Sequence, residues 1–586
     1  MFSRQHIVAA ARGDERMDTI IRKVNLVNVF TAEIYMADIG IKENRFSAIA
    51  RYEHDEPAFY MEGDNVIDAT GKYAVPGFID CHVHIESTMI TPDMFARAVL
   101  RHGTTAAVID PHEIGNVMGA EGVTYMINAS KGLPVQILTT IPSCVPAVPG
   151  VETAGAEFGP EDIAALLNNP DVVGVAELMD YVGVIKQNPR MAGIVQKGLD
   201  FGVRNEGHLP RVGGRDLQAY LAAGVNSDHE SRTVEEIVEK LRAGMLIYIR
   251  ESSVSQFADI AAKAWEILPH SSNIAMCTDD VEPNDMLKNG QMNRVVRRCI
   301  EEGIPAPLAI RYATLNGAIR YGLHDRGAIA AGYVADFSLV DSLETMQAND
   351  VFVQGEQMVR DGDVIVDITS GTTPLRKNTV RLPKLQVDDF KIKPPVETGM
   401  IGLNTMEMTE IGTTQKGVLE VQVTDGTIRD LPADYVFVSV TGRHGQQREP
   451  FIGVLKNSGI RSGAYATTVA HDSHNLVVAG KNANDMLLAA QQLQKSGGGL
   501  CLVEDGKVMA QVDLPIAGLM AAEPIEELAP KVEEFNKVAK SMGVKVGRRS
   551  PSMALSSLTL TVIPEIRISD LGLVDVKSQE LIPLYV

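Results

Sequence analysis

Cysteine is scarce in this sequence: Cys81, Cys144, Cys277, Cys299 and Cys501 are scattered through 586 residues, odd in number and without a CxxC pair. That pattern excludes a disulfide framework and a zinc ribbon, and it predicts reduced thiols in a cytoplasmic protein. Basic charge is in deficit, with 54 Lys+Arg against 75 Asp+Glu and a formal charge of −21. Duplex DNA and anionic membranes both reward basic patches, so neither a nucleic acid nor a membrane is expected as a partner. Long apolar runs are also missing. The uncharged stretch 132–151 is interrupted by four prolines and only about half apolar, so a membrane span is not expected. The N-terminal stretch is broken by Arg4, Arg12, Asp14, Glu15 and Arg16, so it lacks the apolar centre of a signal peptide. Neither GxxxxGK[ST] nor a strand-linked GxGxxG occurs, and the HxE…PCxxC zinc signature of nucleic-acid deaminases is absent. Gly497-Gly498-Gly499 stands alone and predicts a helix-ending turn.

What is present is an ordinary globular balance, 45% hydrophobic and 22% charged, with material for a large core. Short β-rich runs alternate with polar turns from about 19 to 68. From about 73 to 323 the pattern changes to apolar strand-like runs separated by helical stretches such as TPDMFARAVLRHG, PEDIAALLNN and VEEIVEKLRAG. Eight such runs can be placed, at 75–84, 104–110, 135–141, 172–177, 202–209, 224–230, 245–250 and 273–279. Eight β-then-α units over about 250 residues predict a (β/α)8 TIM-like barrel, with a doubly wound open sheet as the structural rival. A second β-rich stretch follows from 327 to about 367 and is expected to pair with the first. Beyond the Pro- and Lys-containing segment 374–395, strands and a helix at NANDMLLAAQQLQKSG predict a C-terminal α+β domain. The expected division is 1–72 and 326–380 as a split β domain, 73–325 as the barrel and 381–586 as the C-terminal domain.

The sharpest local signal is His82-Val83-His84 at the end of the first run. Strand side chains alternate, so the two histidines share a side and can share a metal, while Cys81 is expected to point the other way. Thirteen histidines supply about 0.3 HxH pairs by chance, so the motif alone is weak. Its weight comes from where the other donors fall. Glu177 closes the fourth run, His208 lies near the end of the fifth, His229 ends the sixth and Asp279 ends the eighth. Barrel enzymes build their sites at these strand ends. Four histidines and two carboxylates there would hold two divalent ions with Glu177 suited to bridge them. For any one of these residues alone, a buried histidine satisfied by hydrogen bonds is the default.

Taken together, GFIDCHVHIESTMITP, VIDPHEIGNVMG, VAELMDYVGVI, GHLP, SDHES, IRESS, CTDD and the later AHDSHNLVVAG resemble the bacterial adenine deaminases of the amidohydrolase superfamily. The resemblance covers nearly the whole chain, and IESTM, DPHEIGNVMG and HDSHN in this order are far more specific than HxH. It implies a metal-dependent barrel flanked by a composite β-sandwich. It also implies a dinuclear centre, usually of manganese or iron with zinc possible, that converts adenine to hypoxanthine and ammonia. A purine small molecule is then the partner, and a homo-oligomer is expected.

On this reading His82, His84 and Asp279 would hold one ion and His208 and His229 the other, with Glu177 between them. Asp279 would also move a proton from the attacking hydroxide to the leaving amine. Attack at C6 places charge on N1, and Glu86, His112 and Glu113 are the candidate proton donors there. Asp180, Tyr181, Arg250 and Glu251 follow runs four and seven and are candidates to read the purine edge. A structural Arg250–Glu251 salt bridge is the bland alternative. His471, Asp472 and His474 could cover the pocket or form a polar turn elsewhere. Two rivals remain: hydrolysis of a cyclic amide, for which a bridging lysine is common and run four offers none, and a non-catalytic metal-binding protein.

Overall fold

The computed structural model describes residues 4–586 apart from 374, 376, 410–412, 429 and 546–549. Residues 374 and 376 of the linking segment therefore lie outside the described residues. Each of the eight predicted runs overlaps a strand. These are β1 (Phe78–Val83), β2 (Thr104–Ile109), β3 (Gln136–Ile141), β4 (Val172–Leu178), β5 (Arg204–Gly207), β6 (Ser227–Asp228), β7 (Leu246–Arg250) and β8 (Ile274–Cys277). β1 to β5 form one sheet and β6 to β8 another, and every pairing within them is parallel. Helices separate successive strands, and all six residues of both β1 and β2 are buried, as expected for parallel strands covered on two faces.

Two seams join the segments. A parallel bridge links Val83 to Asp279, with Asp279 N–H donating to His82 O at 2.9 Å. Between β5 and β6 the links run through side chains. Gly207 N–H donates to Ser227 Oγ at 2.9 Å and Leu209 N–H to Asp228 Oδ1 at 2.7 Å. Lys240, fully buried, then holds the turn after β6 by donating to Asp228 Oδ2 (3.0 Å), Leu209 O (2.6 Å) and Ser231 Oγ (3.1 Å). The helix that carries Lys240, Val234–Arg242, opens on a reciprocal cap between Thr233 and Glu236.

The first run divides. Tyr73–Pro76 pairs with Phe337–Val340 and with Met17–Asn28, so these residues belong to the flanking sheet and not to the parallel unit. The division falls at Gly77, where a Cβ would stand 2.2 Å from Thr105 Oγ1. The flanking strands expected as a sandwich, from 17–76 and 337–364, are hydrogen-bonded into one continuous ten-stranded sheet. After residue 395, nine strands form a second large sheet packed by helices Ala483–Ser496 and Ile525–Ser541. The first of these helices ends on Gly497 at φ 85°, the predicted turn.

The C-terminal region is not a distant appendage. Ile85, Met89 and Phe95 share one hydrophobic core with Leu500, Leu514 and Phe535. Ala521 N–H donates to Met89 O at 2.8 Å, and Ser569 Oγ donates to Val151 O at 2.6 Å. All five cysteines are buried free thiols. Among the described residues no helix is long and apolar enough to cross a membrane.

Candidate active site

The first strand does not keep strict alternation. Asp80 pairs with Ala107 and Val83 with Ile109, so three steps on β1 oppose two on β2, a β-bulge that resets the phase. Ile79 and Cys81 lie in one interior cluster with Val108, Tyr248, Ala275 and Cys277. His82 and His84 then turn together to the strand ends, each with Nε2 near Asp279 Oδ1, at 3.3 and 3.2 Å. Cys81, expected to face away from the two histidines, packs its side chain among the apolar residues of that cluster. Cys81 sits in the interior layer with its thiol 3.9 Å from Ile79 O, and the bulge separates it from the histidines.

Glu177 stands at the centre of the donor set. Its Oε1 faces His84 Nε2 at 3.4 Å and His82 Nε2 at 3.8 Å, while Oε2 faces His208 Nδ1 at 2.6 Å and His229 Nε2 at 3.3 Å. All six predicted metal ligands are 8% exposed or less. Burial alone would raise the Glu177 carboxyl, but the His208, His229 and His84 imidazoles hold it well below the usual carboxylate range. Asp279 has φ 60°, a left-handed conformation that Asp tolerates better than most residues. It accepts from Arg250 Nη1 at 2.6 Å on Oδ2, which leaves Oδ1 for His82 and His84. Burial opposes its charge too, and Arg250, His82 and His84 together hold it well below its ordinary range.

Two observations fit divalent metal ions here. His82, His84 and Asp279 bring one donor atom each within 4.8 Å of one another, as do His82, Glu177 and His229. Among the described residues the Nε2 atoms of His82 and His229 are buried without a hydrogen-bond partner, a cost that lone pairs aimed at a cation would remove.

The remaining predicted residues divide. His112 and Glu113 line the same cavity as Glu177, His208, His229 and Asp279. Arg250 lines it as well, and its partners are Glu230 (2.6 Å) and Asp279, not Glu251. Glu251, one residue past β7, accepts from Ala258 N–H at 2.8 Å at the start of the next helix and does not line the cavity. Asp180 accepts from Gly183 N–H at 2.9 Å as the N-cap of Tyr181–Ile185, and it too stands outside the cavity. Tyr181 lines a neighbouring cavity with His208, Arg232 and Pro564. Glu86 is buried behind the site, where Oε1 accepts from Ile114 N–H at 3.2 Å, and burial with the Glu113 charge pushes it up to about 7. Asp280, two residues from His82 across the seam, accepts from Ser87 Oγ at 2.6 Å.

The wall opposite the strand ends comes from the C-terminal region. His471, Asp472, Met553, Ser556, Ser557, Leu560 and Ile563 line the cavity. His471 Nδ1 lies 2.7 Å from Glu113 Oε1, and His474 Nε2 contacts Glu113 Oε2. Glu230, Arg232 and the 553–563 segment were missed in the sequence. Glu230 had a readable signal, since it directly follows His229 at a strand end; the 553–563 segment had none.

Residues 73–365 match the amidohydrolase family, and residues 412–580 match the adenine deaminase C-terminal domain. An adenine deaminase of Klebsiella pneumoniae is 41% identical over 584 residues, covering 99% of this chain and 95% of the relative. One from Nitratidesulfovibrio vulgaris is 38% identical over 587 residues, covering 98% and 97%. Adenine deaminase 2 of Agrobacterium fabrum is 42% identical over 537 residues, covering 91% and 88%. Among solved structures, a β-aspartyl dipeptidase of Fervidobacterium islandicum aligns with TM-score 0.43 at 18% identity, over 59% of this chain and 98% of that one. An atrazine chlorohydrolase of Arthrobacter aurescens aligns with TM-score 0.41 at 15% identity, over 60% and 97%. With both sequence regions matched and the relatives aligned nearly end to end, the chain belongs to the adenine deaminase family of amidohydrolases.

Proposed function

We propose that this protein hydrolyses adenine to hypoxanthine and ammonia, a step of purine salvage. The observation that carries the reading is that the likeness to adenine deaminases runs through the C-terminal region, the same region that closes the cavity over the strand-end donors. The two parallel segments form, on this proposal, one (β/α)8 barrel closed through the Val83–Asp279 and Gly207–Ser227 seams. The domain division at 325/326 and 380/381 is part of the same reading, with the first boundary moved from 72/73 to Gly77 by the pairing of Tyr73–Pro76, as are a cytoplasmic location and a homo-oligomeric assembly.

His82, His84 and Asp279 would hold one divalent ion, His208 and His229 a second, and Glu177 would lie between them. Neutral imidazoles and carboxylates suit manganese, iron or zinc. Such ions, when bound, lower the pKa of a water molecule towards ~7 and so make hydroxide available at neutral pH. The protein's own part is to position and to move protons. Arg250 fixes Asp279 by one oxygen, leaving that carboxylate beside the cavity to pass a proton from the attacking oxygen to the departing amine. Met179, Met553, Leu560 and Ile563 supply apolar surface for a flat ring. Met179 directly follows β4, the strand that carries Glu177.

The test is direct: metal-replete protein is incubated with adenine, and ammonia and hypoxanthine are measured. Equimolar appearance of both is expected. Absence of both with two ions bound would overturn the reading.

A further inference from the structure

His471 lies in the C-terminal domain, yet it lines the same cavity as Glu177 and Asp279. Its backbone is fixed on both sides. Its N–H donates to Ser556 O at 2.8 Å, and Thr559 Oγ1 donates to its carbonyl at 2.8 Å. With Nδ1 beside Glu113, the opposite ring nitrogen, Nε2, turns away from that carboxylate, and it is buried with no hydrogen-bond partner among the described residues.

The state of Glu113 follows from its other neighbour. Ala470 N–H donates to His474 Nδ1 at 3.1 Å, so the ring proton of neutral His474 resides on Nε2, which faces Glu113 Oε2. Glu113 thus lies between two imidazoles, with His471 against Oε1 and His474 against Oε2 as close ion-pair contacts. Burial, aided by His471 and Arg443 against the pull of Glu113, pushes His474 down to about 4 and keeps it neutral. Burial would raise Glu113, but His471, His474 and His112 hold it well below its usual range as an acceptor. Burial likewise disfavours charge on His471, and Glu113 overcomes this and raises it to about 9.

This arrangement separates the candidates for protonating N1. Each Glu113 oxygen already faces an imidazole nitrogen at ion-pair distance, and Glu86 does not reach the cavity. His112 has a carboxylate near each nitrogen: Asp110 at 3.1 Å from Nδ1, and Glu113 and Asp472 at 3.5 and 3.6 Å from Nε2. His471 alone among these combines a place on the cavity wall with an unengaged ring nitrogen.

We propose that His471 is a catalytic residue that gives its Nε2 proton to the purine N1 during attack at C6, with Glu113 as its positioning residue. The inference rests on the deaminase reading. As hydroxide forms its bond to C6, the C6–N1 π pair moves to N1, which takes the proton from His471. The new hydroxyl at C6 then loses its proton through Asp279 to the exocyclic amine. The C6–N bond breaks with its electron pair, C6=O forms, ammonia leaves and hypoxanthine keeps the N1 proton. His471 regains a proton from the water that supplies the next hydroxide.

The test compares wild type, His471→Gln, Glu113→Gln and the double variant, each metal-loaded, for metal content, kcat and KM with adenine. His471→Gln should lose about 10²–10⁴-fold in kcat with its metal content intact. Glu113→Gln should lose part of this, and the double variant should be little worse than His471→Gln, because the pair acts as a unit. His471→Ala should regain turnover when imidazole is added, a readout that a purely structural role would not give. A His471→Gln variant within about twofold of wild type would overturn the proposal alone. So would parallel loss of metal, or a folded His471→Ala that ignores imidazole. Wild type that releases no ammonia would overturn the deaminase reading and this proposal with it.

Discussion

Glu177 and Glu206 lie on adjacent strands of the same parallel sheet, exposed by 3% and 4%, and their surroundings differ in one chemical respect. Glu206 is surrounded by groups that always carry a proton to give. Arg320 Nε donates to Oε1 at 3.0 Å, while Ser227 Oγ (2.5 Å) and Tyr248 OH (2.9 Å) donate to Oε2. Glu177 is surrounded by imidazoles, whose nitrogens can present lone pairs instead, and two of those nitrogens have no hydrogen-bond partner among the described residues. A buried carboxylate closed by hydroxyl and guanidinium donors is finished as structure. One closed by imidazoles is complete only when a cation joins it. Burial and charge are alike in both places, so the donor chemistry distinguishes a site from a strut.

That contrast can be broken or sharpened by substitution. Replacing Glu177 with Ala should have the largest effect, removing both metal retention and adenine turnover to below detection, read by metal analysis and ammonia release. Asp279→Asn should keep the fold and lower kcat/KM by about 10²–10⁴-fold, the range for a lost proton-transfer group, measured by steady-state kinetics. Glu206→Gln should leave metal content unchanged and destabilise the protein by about 3–5 kcal/mol, because Arg320 is left as an unbalanced buried charge. Denaturant titration measures that loss, and a Glu206→Gln variant that lost metal would undo the distinction. The smallest effect concerns a third buried carboxylate, Glu152, with Oε1 accepting from Val148 N–H (3.1 Å) and Thr561 Oγ1 (2.8 Å). Burial pushes it up to about 8. A raised folded value means the neutral acid is favoured in the folded state. Its contribution is therefore full below the ordinary value of 4.5 and lost as pH rises through about 8. Glu152→Gln should flatten the decline in stability between those limits, measured by unfolding at a series of pH values.

Much of the strand-end chemistry was legible because it depends on local order. His82, His84, Glu177, His208, His229 and Asp279 were expected as donors at the ends of five of the eight β runs, and parallel strands gather such ends. Strict alternation set Cys81 apart from the histidines but did not foresee the bulge, a one-residue insertion decided by pairing with β2 and not by β1 alone. Two misassignments had readable remedies. Arg250 and Glu251 are neighbours at a strand end and so face opposite ways, and Asp180 before a short helix is a favoured cap. The C-terminal wall could not be derived from spacing at all. His471 reaches Glu113 across hundreds of residues through a shared core and seam hydrogen bonds, which have no periodicity to read.

On the proposed function, the Glu177-centred donors take up two divalent ions and adenine turnover depends on both. Metal-stripped protein, titrated with manganese while ammonia release from adenine is followed, tests it most directly. The expected result is no turnover at the start and a plateau at two equivalents per chain, with Glu177→Ala showing neither binding nor activity. Turnover by metal-free protein, or a plateau reached at one equivalent, would contradict it.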